Sequence, residues 1–511
     1  MSSETGNTRR IGVDVGGTNT DAALLEGRTV VEALKTPTTN DVVSGVTAAL
    51  DGVDHSSVGV VIVGTTHFTN AVVQRRGLNR VGFLRIGLPA GASLPPLVGW
   101  PPDLAAVVEG RSIMVEGGVE FDGRPFEQLG EAAVVDAAHR FADEGIDSIV
   151  VAGAFSPVDP SQEVRAAELL TEHLPGARIT LSHRLGRLGL LERENAAGLN
   201  ACMVDLAATT IDAFRAALDS AGFDAGTRLY LTQNDGTLLS LDEATRYPVL
   251  TFASGPTNSM RGAALLGGVS DGLVVDVGGT TADFGALVAG YPRQANAAVE
   301  VGGVRTLFQL PDLVSIGLGG GTRIHRDPLR LGPDSVGQRL TAAALAFGGD
   351  TPTVTDAALA TGRLTIEGTT TVDIADAASV LEIASAMVAD NADRMKLTAE
   401  PVPLVAVGGG AFVVDDGLPG ISDVIRPANG DTANAVGAAL AEVSGETDQV
   451  FHELGRDAAI EAATAQAAER AVAAGADPET LATIELEDLP LAYLPGDARR
   501  VRARVVGQLR I

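Results

Sequence analysis

A turn written twice constrains this chain more than anything else in it. Val13-Asp14-Val15-Gly16-Gly17-Thr18-Asn19-Thr20-Asp21 near the start returns as Val275-Asp276-Val277-Gly278-Gly279-Thr280-Thr281-Ala282-Asp283. At an offset of 262 residues, Val13–Leu25 and Val275–Leu287 agree at eight of thirteen positions. Each copy is an apolar run, an aspartate, two glycines, a threonine and a second aspartate. A chain that builds one such turn twice is expected to build two similar halves facing each other. At 511 residues it is too long for one compact core, which fits two large domains and an appendage.

The residue types say what such turns can hold. Glycines take positive φ and leave backbone N–H groups open where a Cβ would block them. A threonine adds a hydroxyl donor, and consecutive N–H groups make an anion-binding nest. An aspartate ahead of the turn suits a Mg2+ ion that bridges to phosphate oxygens. One such motif is explained about as well by a plain structural turn. Two copies, each after a strand and an aspartate, point to a polyphosphate gripped from both sides, with Asp14 and Asp276 flanking one metal.

The remaining pattern alternates strands and helices, which argues α/β. Apolar strands are expected at Arg10–Val15, around Leu24-Leu25 and Val30-Val31, at Val58–Val63, Ser148–Ala154, Leu229–Thr232, Leu273–Val277 and Pro403–Val407. Helical spacing marks Asp41–Leu50 with Asp41 as its cap, Ser161–His173, Leu190–Leu218 with a break near Gly198, and Ala375–Asp393. Residues 1–8 read as a disordered tail and 87–125 as an irregular, Gly- and Pro-rich excursion. The domains expected are 9–225, 226–445 and a small α/β region at 446–511. Gly408-Gly409-Gly410 after a strand allows close approach to a base or ribose, or is a tight turn. Gly317–Gly321 admits the same two readings, and Ser254-Gly255-Pro256 at a helix start admits a cap. His67 and His325 are isolated and read as packing or surface residues.

Composition excludes several classes. Lys+Arg 37 against Asp+Glu 65 leaves a net charge of −28 and no basic run, so no nucleic-acid partner is expected. The single cysteine, Cys202, permits no intrachain disulfide and no cysteine-built zinc or iron–sulfur centre within one chain; it reads as a small buried apolar residue. The N-terminus lacks the apolar core of a signal peptide, and no apolar run approaches bilayer length, so a soluble, cytoplasmic protein without a membrane partner is expected.

Two Asp-x-Gly-Gly-Thr turns followed by a glycine-rich turn resemble the actin-like ATPase superfamily. Within it the chain resembles the hydantoinase A/5-oxoprolinase family, with acetone carboxylase β-subunit-like relatives. The stretches that carry this span most of residues 10–445: Ile11–Asp21, Gly64-Thr65-Thr66 with Thr69-Asn70-Ala71, Ser254-Gly255-Pro256, Asp276–Asp283, Gly317–Gly321 and Pro352-Thr353-Val354-Thr355-Asp356-Ala357. The last is the most family-specific. The resemblance implies two actin-like (ribonuclease H-like) domains facing a nucleotide cleft, with ATP and Mg2+ as cofactors. It implies ATP-dependent opening of a cyclic amide such as a hydantoin, 5-oxoproline or another lactam, through phosphorylation of the ring carbonyl oxygen.

Carried over, Gly16, Gly17, Thr18, Gly278, Gly279 and Thr280 hold phosphates. Asp14 and Asp276 organise the metal, and Gly408, Gly409, Gly410 and Asn434 contact adenosine. Thr65, Thr66 and Asn70 face the substrate. Asp21, Asp283 and Asp356 are candidates for proton transfer or a metal, and Asp14, Asp21, Asp276 and Asp283 form the catalytic set. Longer members carry a larger C-terminal region, so the chain resembles a subunit that works with a separately encoded companion, and a homo-oligomer is expected. Two other readings stand beside this one: a small-molecule kinase of the same superfamily, against which the Pro352–Ala357 run argues, and a non-catalytic nucleotide-switched regulator.

Overall fold

Each copy of the repeated motif spans two strands that pair antiparallel, Asp14 opposite Asp21 and Asp276 opposite Asp283. The structure, a computed structural model, describes residues 9–16, 19–37, 42–185, 188–224, 226–295, 299–308, 310–491 and 498–510. The tail ahead of residue 9, Gly17, Thr18 and the expected cap Asp41 lie outside these residues.

In the first half, β1 (Arg9–Val15), β2 (Asn19–Glu26) and β3 (Thr29–Pro37) form an antiparallel meander. β4 (Val58–Thr65) joins β1 in parallel. Its apolar run is buried at every position but Gly59, as a strand covered on both faces requires. The chain then builds a separate, all-parallel sheet from β5 (Val81–Leu88), β6 (Glu109–Glu116), β7 (Ser148–Gly153) and β8 (Arg178–Leu181), ordered β6-β5-β7-β8. The stretch 87–125 is therefore not an irregular excursion. It supplies β6 and the helix Pro102–Val108, which begins on a proline where the missing N–H removes no helical bond.

Leu190–Leu218 is two helices, Leu190–Ala201 and Val204–Ser220, and the break lies at Cys202-Met203 rather than near Gly198. Gly198 is a packing glycine: a Cβ there would come within 2.8 Å of the Phe83 ring and 3.2 Å of Trp100. Cys202 is fully buried, and loss of solvent pushes its thiol up, as for a small apolar side chain.

β9 (Arg228–Thr232) and β10 (Leu238–Ser240) return to the first sheet, ordered β10-β9-β4-β1-β2-β3. The second half therefore does not restart with the strand at Leu229–Thr232, because β9 pairs in parallel with β4. An apolar run marks a strand without saying which sheet it joins.

The second half contains β11 (Gly272–Val277), β12 (Ala282–Val288), β13 (Tyr291–Pro292), the hairpin β14 (Val299–Val301)–β15 (Val304–Thr306), and β16 (Leu313–Ile316). A second hairpin, β17 (Thr322–Arg326)–β18 (Leu329–Ser335), precedes β19 (Val402–Val407) and β20 (Ile421–Ile425). The order β13-β12-β11-β19-β20 repeats β3-β2-β1-β4-β9, with the same antiparallel and parallel steps. The chain is thus an α/β protein of two actin-like halves. The C-terminal part is a sheet of β21 (Val443–Phe451), β22 (Ala482–Pro490) and β23 (Arg499–Gly507), covered by the helix Arg456–Ala473. That helix buries Ala459, Ala463, Ala467 and Ala471 at i, i+4 spacing. Among the described residues, no helix is long and apolar enough to cross a membrane.

Two helices join the halves. Ser254–Gly267 lies against β11 and β19, and Ala433–Ala439 lies against β1 and β2. They meet at backbone distance. A Cβ on Gly437 would fall 1.8 Å from the Asn258 carbonyl oxygen, and one on Gly262 1.9 Å from that of Ala433. The hairpin β14–β15 reaches from the second half into the first. Val301 and Val304 join the first half's core, and the Asn195 side chain donates to the Arg305 carbonyl at 2.9 Å.

Candidate functional site

The strand register places the paired aspartates opposite each other. Asp14 in β1 faces Asp21 in β2, and Asp276 in β11 faces Asp283 in β12. Directly opposed residues share a sheet face, so each half carries a carboxylate rung beside its turn. Both turns close on the same bond, Gly16 N–H to Asn19 O at 3.0 Å and Gly278 N–H to Thr281 O at 2.9 Å. Each rung has a third member. Lys35 of β3 faces Asp21, and Ser315 of β16 faces Asp283. The halves therefore end differently: Lys35 Nζ donates to Asp21 Oδ2 at 3.1 Å, whereas Ser315 donates its hydroxyl proton to Asp283.

Burial raises all four carboxylates, and neighbouring negative charge adds to the rise at Asp14, Asp21 and Asp283. Burial, then the charge of Asp21, pushes Asp14 up to about 7, against an Asn434 hydrogen bond. Burial pushes Asp21 up to about 6 and Asp283 to about 6, and Lys35 opposes the first of these shifts. Loss of solvent raises Asp276, and its charge acts on each of the other three, so the two rungs lie within one another's field. Asp14 Oδ1 and Asp21 Oδ1 are buried without a hydrogen-bond partner among the described residues. Two orphaned acceptor atoms on mutually repelling carboxylates fit a cation. Among the described residues, no three His, Cys, Asp or Glu side chains group closely enough to hold a metal, so water and ligand oxygens would complete its shell.

The second turn is braced from behind. Gly320 N–H donates to Gly278 O at 3.1 Å and Gly321 N–H to Gly279 O at 2.8 Å. A Cβ on Gly319 would lie 2.6 Å from the Thr280 nitrogen. Gly317–Gly321 thus supports the turn backbone to backbone. Gly279 has open space where a Cβ would stand, and Thr280 is exposed. Gly16 of the first turn is described; Gly17 and Thr18 are not.

Gly408, Gly409 and Gly410 divide their work. Gly408 has φ +84°, and a Cβ there would lie 2.4 Å from Asp276 Oδ1. Its N–H donates to Gly430 O at 2.9 Å, and Gly410 N–H donates to Val277 O at 2.7 Å. Gly409 is exposed and has nothing within 4 Å of a built Cβ. This turn therefore sits against the second Gly-Gly-Thr turn with one open position. Asn434, expected at adenosine, donates its Nδ2 to Asp14 Oδ2 at 3.2 Å. The structure groups Asn434 with the first carboxylate rung.

Thr65 is buried at the end of β4 opposite Val15, and its hydroxyl accepts from His67 N–H at 3.1 Å. Thr66 follows, with Asn70 Nδ2 donating to its hydroxyl at 3.2 Å. Loss of solvent lowers the half-buried His67 from its ordinary value. The helix Ser254–Gly267 begins beside them: a Cβ on Gly255 would lie 3.8 Å from Thr66 Cγ2 and 4.0 Å from Asp14 Oδ1. Ser254 is not the cap; Ala253 stands there with φ +56° and no side-chain bond. Ser254 Oγ and Asn258 Oδ1 are buried and unpartnered among the described residues.

Asp356 is not part of this site. It is fully buried, and its carboxylate accepts from Thr353 N–H and Oγ1 at 2.8 Å each and from Ala346 N–H at 2.7 Å. It closes the capping box of the helix Val354–Ala360. Thr355 donates to Gly320 O at 2.8 Å, so this run buttresses the brace behind the second turn. Lys35, Asn258 and Ser315 were not legible as site residues. The register that aligns Lys35 and Ser315 with the aspartates follows only from strand pairing.

Residues 10–174 match the family model for the hydantoinase/oxoprolinase N-terminal region, and residues 193–375 match the hydantoinase/oxoprolinase model. Over 393 residues the chain is 26% identical to caprolactamase subunit alpha of Pseudomonas jessenii, covering 70% of this chain and 54% of that protein. It is 25% identical over 407 residues to the acetone carboxylase beta subunit of Xanthobacter autotrophicus, covering 70% and 54%. The chain spans about half the length of the curated relatives it matches. In fold it is similar to the crystal structure of ATP-dependent caprolactamase from Pseudomonas jessenii (TM-score 0.78, 19% identity, 98% of this chain and 88% of that one). It is also similar to nucleotide-free acetone carboxylase (TM-score 0.67, 20% identity, 99% and 88%).

Proposed function

The chain belongs to the hydantoinase/oxoprolinase family, and from that premise we propose that it is the ATP-handling chain of an enzyme that opens a cyclic amide, such as a hydantoin, 5-oxoproline or a related lactam. The observation that carries this is the pair of carboxylate rungs, Asp14–Asp21 and Asp276–Asp283, in each other's field and each beside a Gly-Gly-Thr turn. Such an arrangement suits a polyphosphate with its cation.

In this reading the turns at Gly16–Thr18 and Gly278–Thr280 hold the phosphates, and the adenosine lies over the open position at Gly409. Asp14, Asp21 and Asp276 hold magnesium, which neutralises phosphate charge when bound. The amide sits beside Thr66 and Asn70, at the start of the Ser254 helix. The terminal phosphoryl group passes to the amide oxygen and ADP leaves. This removes the resonance that resists hydrolysis. A first water adds to the amide carbon, with Asp283, held by Ser315, taking its proton and passing it to the ring nitrogen as the C–N bond breaks. The acyl phosphate so formed is hydrolysed by a second water to carboxylate and phosphate. The protein's part is positioning and charge neutralisation. Because relatives are named as subunits, a separately encoded companion is included in the proposal, as is self-association. The likeness to acetone carboxylase favours a second reading, in which the activated oxygen belongs to a ketone rather than an amide.

The test is phosphate release from Mg-ATP with a panel of hydantoins, 5-oxoproline and lactams, with and without the companion chain. Release stimulated by a cyclic amide is expected. Stimulation by ketones and bicarbonate alone would select the second reading, and no stimulated release under any condition would sink both.

A further inference from the structure

We propose that Lys35 is a further residue of the nucleotide site, one that reads the number of phosphates on the bound nucleotide. This rests on the ATP reading above and deepens it.

The chain contains two lysines, Lys35 and Lys396, among 37 basic residues. One of the two, Lys35, stands beside the carboxylate rungs. Lys35 is the third member of the first rung, after Asp14 and Asp21, and its field reaches Asp14, Asp21 and Asp276. The matching position in the second half is the neutral Ser315. The repeat is therefore symmetric in its carboxylates and asymmetric in its cation, which lies on the first half alone of the two rungs.

Among the described residues the ammonium makes two bonds. It donates to Asp21 Oδ2 at 3.1 Å and to the Asp431 carbonyl at 2.5 Å. An ammonium has three donors, and the Lys35 side chain keeps 31% of its surface open, so one N–H remains for a ligand. A compact point charge on a flexible stem suits one oxygen of a moving phosphate better than the planar fork of arginine does. The second bond adds a consequence. Asp431 adjoins Gly430, whose carbonyl accepts from Gly408 N–H, and Gly408 lies against Asp276. Three residues on, Asn434 donates to Asp14. The segment 430–434 thus touches the first rung twice and the Gly408 turn once. Lys35 lies where the phosphate end of the site meets the segment that supports the base end.

A purely structural ion pair with Asp21 would show no preference among nucleotides. The proposal demands one. The experiment measures binding of ATP, ADP and AMP with Mg2+ to the full chain, by calorimetry, for wild type, K35Q and K35R. A hydrogen bond to a charged group predicts that K35Q weakens ATP about 10- to 100-fold. ADP should weaken less and AMP about twofold at most. Restoring the charge in K35R should bring ATP to within about tenfold of wild type. Equal weakening of ATP and AMP, an unchanged ATP affinity in K35Q, or no recovery in K35R overturns the proposal while leaving the ATP reading in place. A wild-type chain that binds none of the three overturns both. Thermal melts without nucleotide confirm that each variant is folded.

Discussion

Asp14 and Asp21 sit opposite each other with two orphaned oxygens, and their titration follows from that. Asp14 is pushed up to about 7, by burial and then by the charge of Asp21, and Asp21 is pushed up to about 6, by burial against the opposing Lys35. Each binds a proton more tightly in the folded than in the unfolded chain. This favours the metal-free folded protein fully below about pH 4 and is lost as the pH climbs through 6 to 7. A divalent cation competes for the same oxygens, so its affinity rises over that window. Melting curves of metal-free protein between about pH 5 and 8 should shift downward with pH, and added Mg2+ should recover more at the upper end. Asp14→Asn should flatten both trends; an unchanged profile would remove the pair from the cation site. Asp356 makes the contrasting case. Its bonds are all internal, so Asp356→Ala should lower unfolding free energy by about 2–4 kcal/mol in denaturant titrations, with nucleotide affinity of the folded fraction unaltered. The aspartates of the turns were legible because each flanks a hairpin tip. Thr353-x-x-Asp356 was legible too, as a capping box, but its place in a family-specific run drew the functional reading instead. Lys35 was hidden, because it lies fourteen residues from Asp21 and only antiparallel register brings them together.

At the scale of elements, the glycines separate into those that let backbones touch and those with open space where a Cβ would stand. Gly262 and Gly437 hold the two crossing helices at backbone contact. Gly437→Ala or Gly262→Ala should cost about 3 kcal/mol or more, read from urea midpoints, since the obstructing atoms are main-chain carbonyls that cannot swing away. Gly409→Ala meets nothing within 4 Å and should change stability by less than about 1 kcal/mol. If the open position serves adenosine, it should nevertheless weaken nucleotide binding. A Gly409→Ala variant that binds ATP like wild type would leave the turn structural. These two classes look alike as letters. Gly198 shows the same limit: a glycine inside a long helical pattern suggested a break, but its missing side chain makes room for Phe83 and Trp100. The repeat, the parallel strands and the helices between them were readable from periodicity. Which sheet β9 completes, and the pairing of β6 within 87–125, depended on contacts distant in sequence.

For the whole molecule, the net charge of −28 sets how a polyanion arrives. Mg-ATP carries negative charge into a strongly negative field, and at low ionic strength that field extends about 30 Å, against about 8 Å near physiological salt. Long-range repulsion should therefore slow association most in dilute buffer. At close range the proposed site adds attraction, since Lys35 among the four carboxylates and the cation they would hold meet the phosphates there. The two effects act at different distances and separate by their salt response. Stopped-flow association of a fluorescent ATP analogue should accelerate several-fold as salt rises from about 0.01 to 0.15 M, because screening removes the repulsion first. Dissociation should change less, since in the proposed site short, partly buried contacts would hold the nucleotide. A rate that falls with salt would mean that a positive local field dominates the approach, and the K35Q variant would then show the rise that wild type lacks.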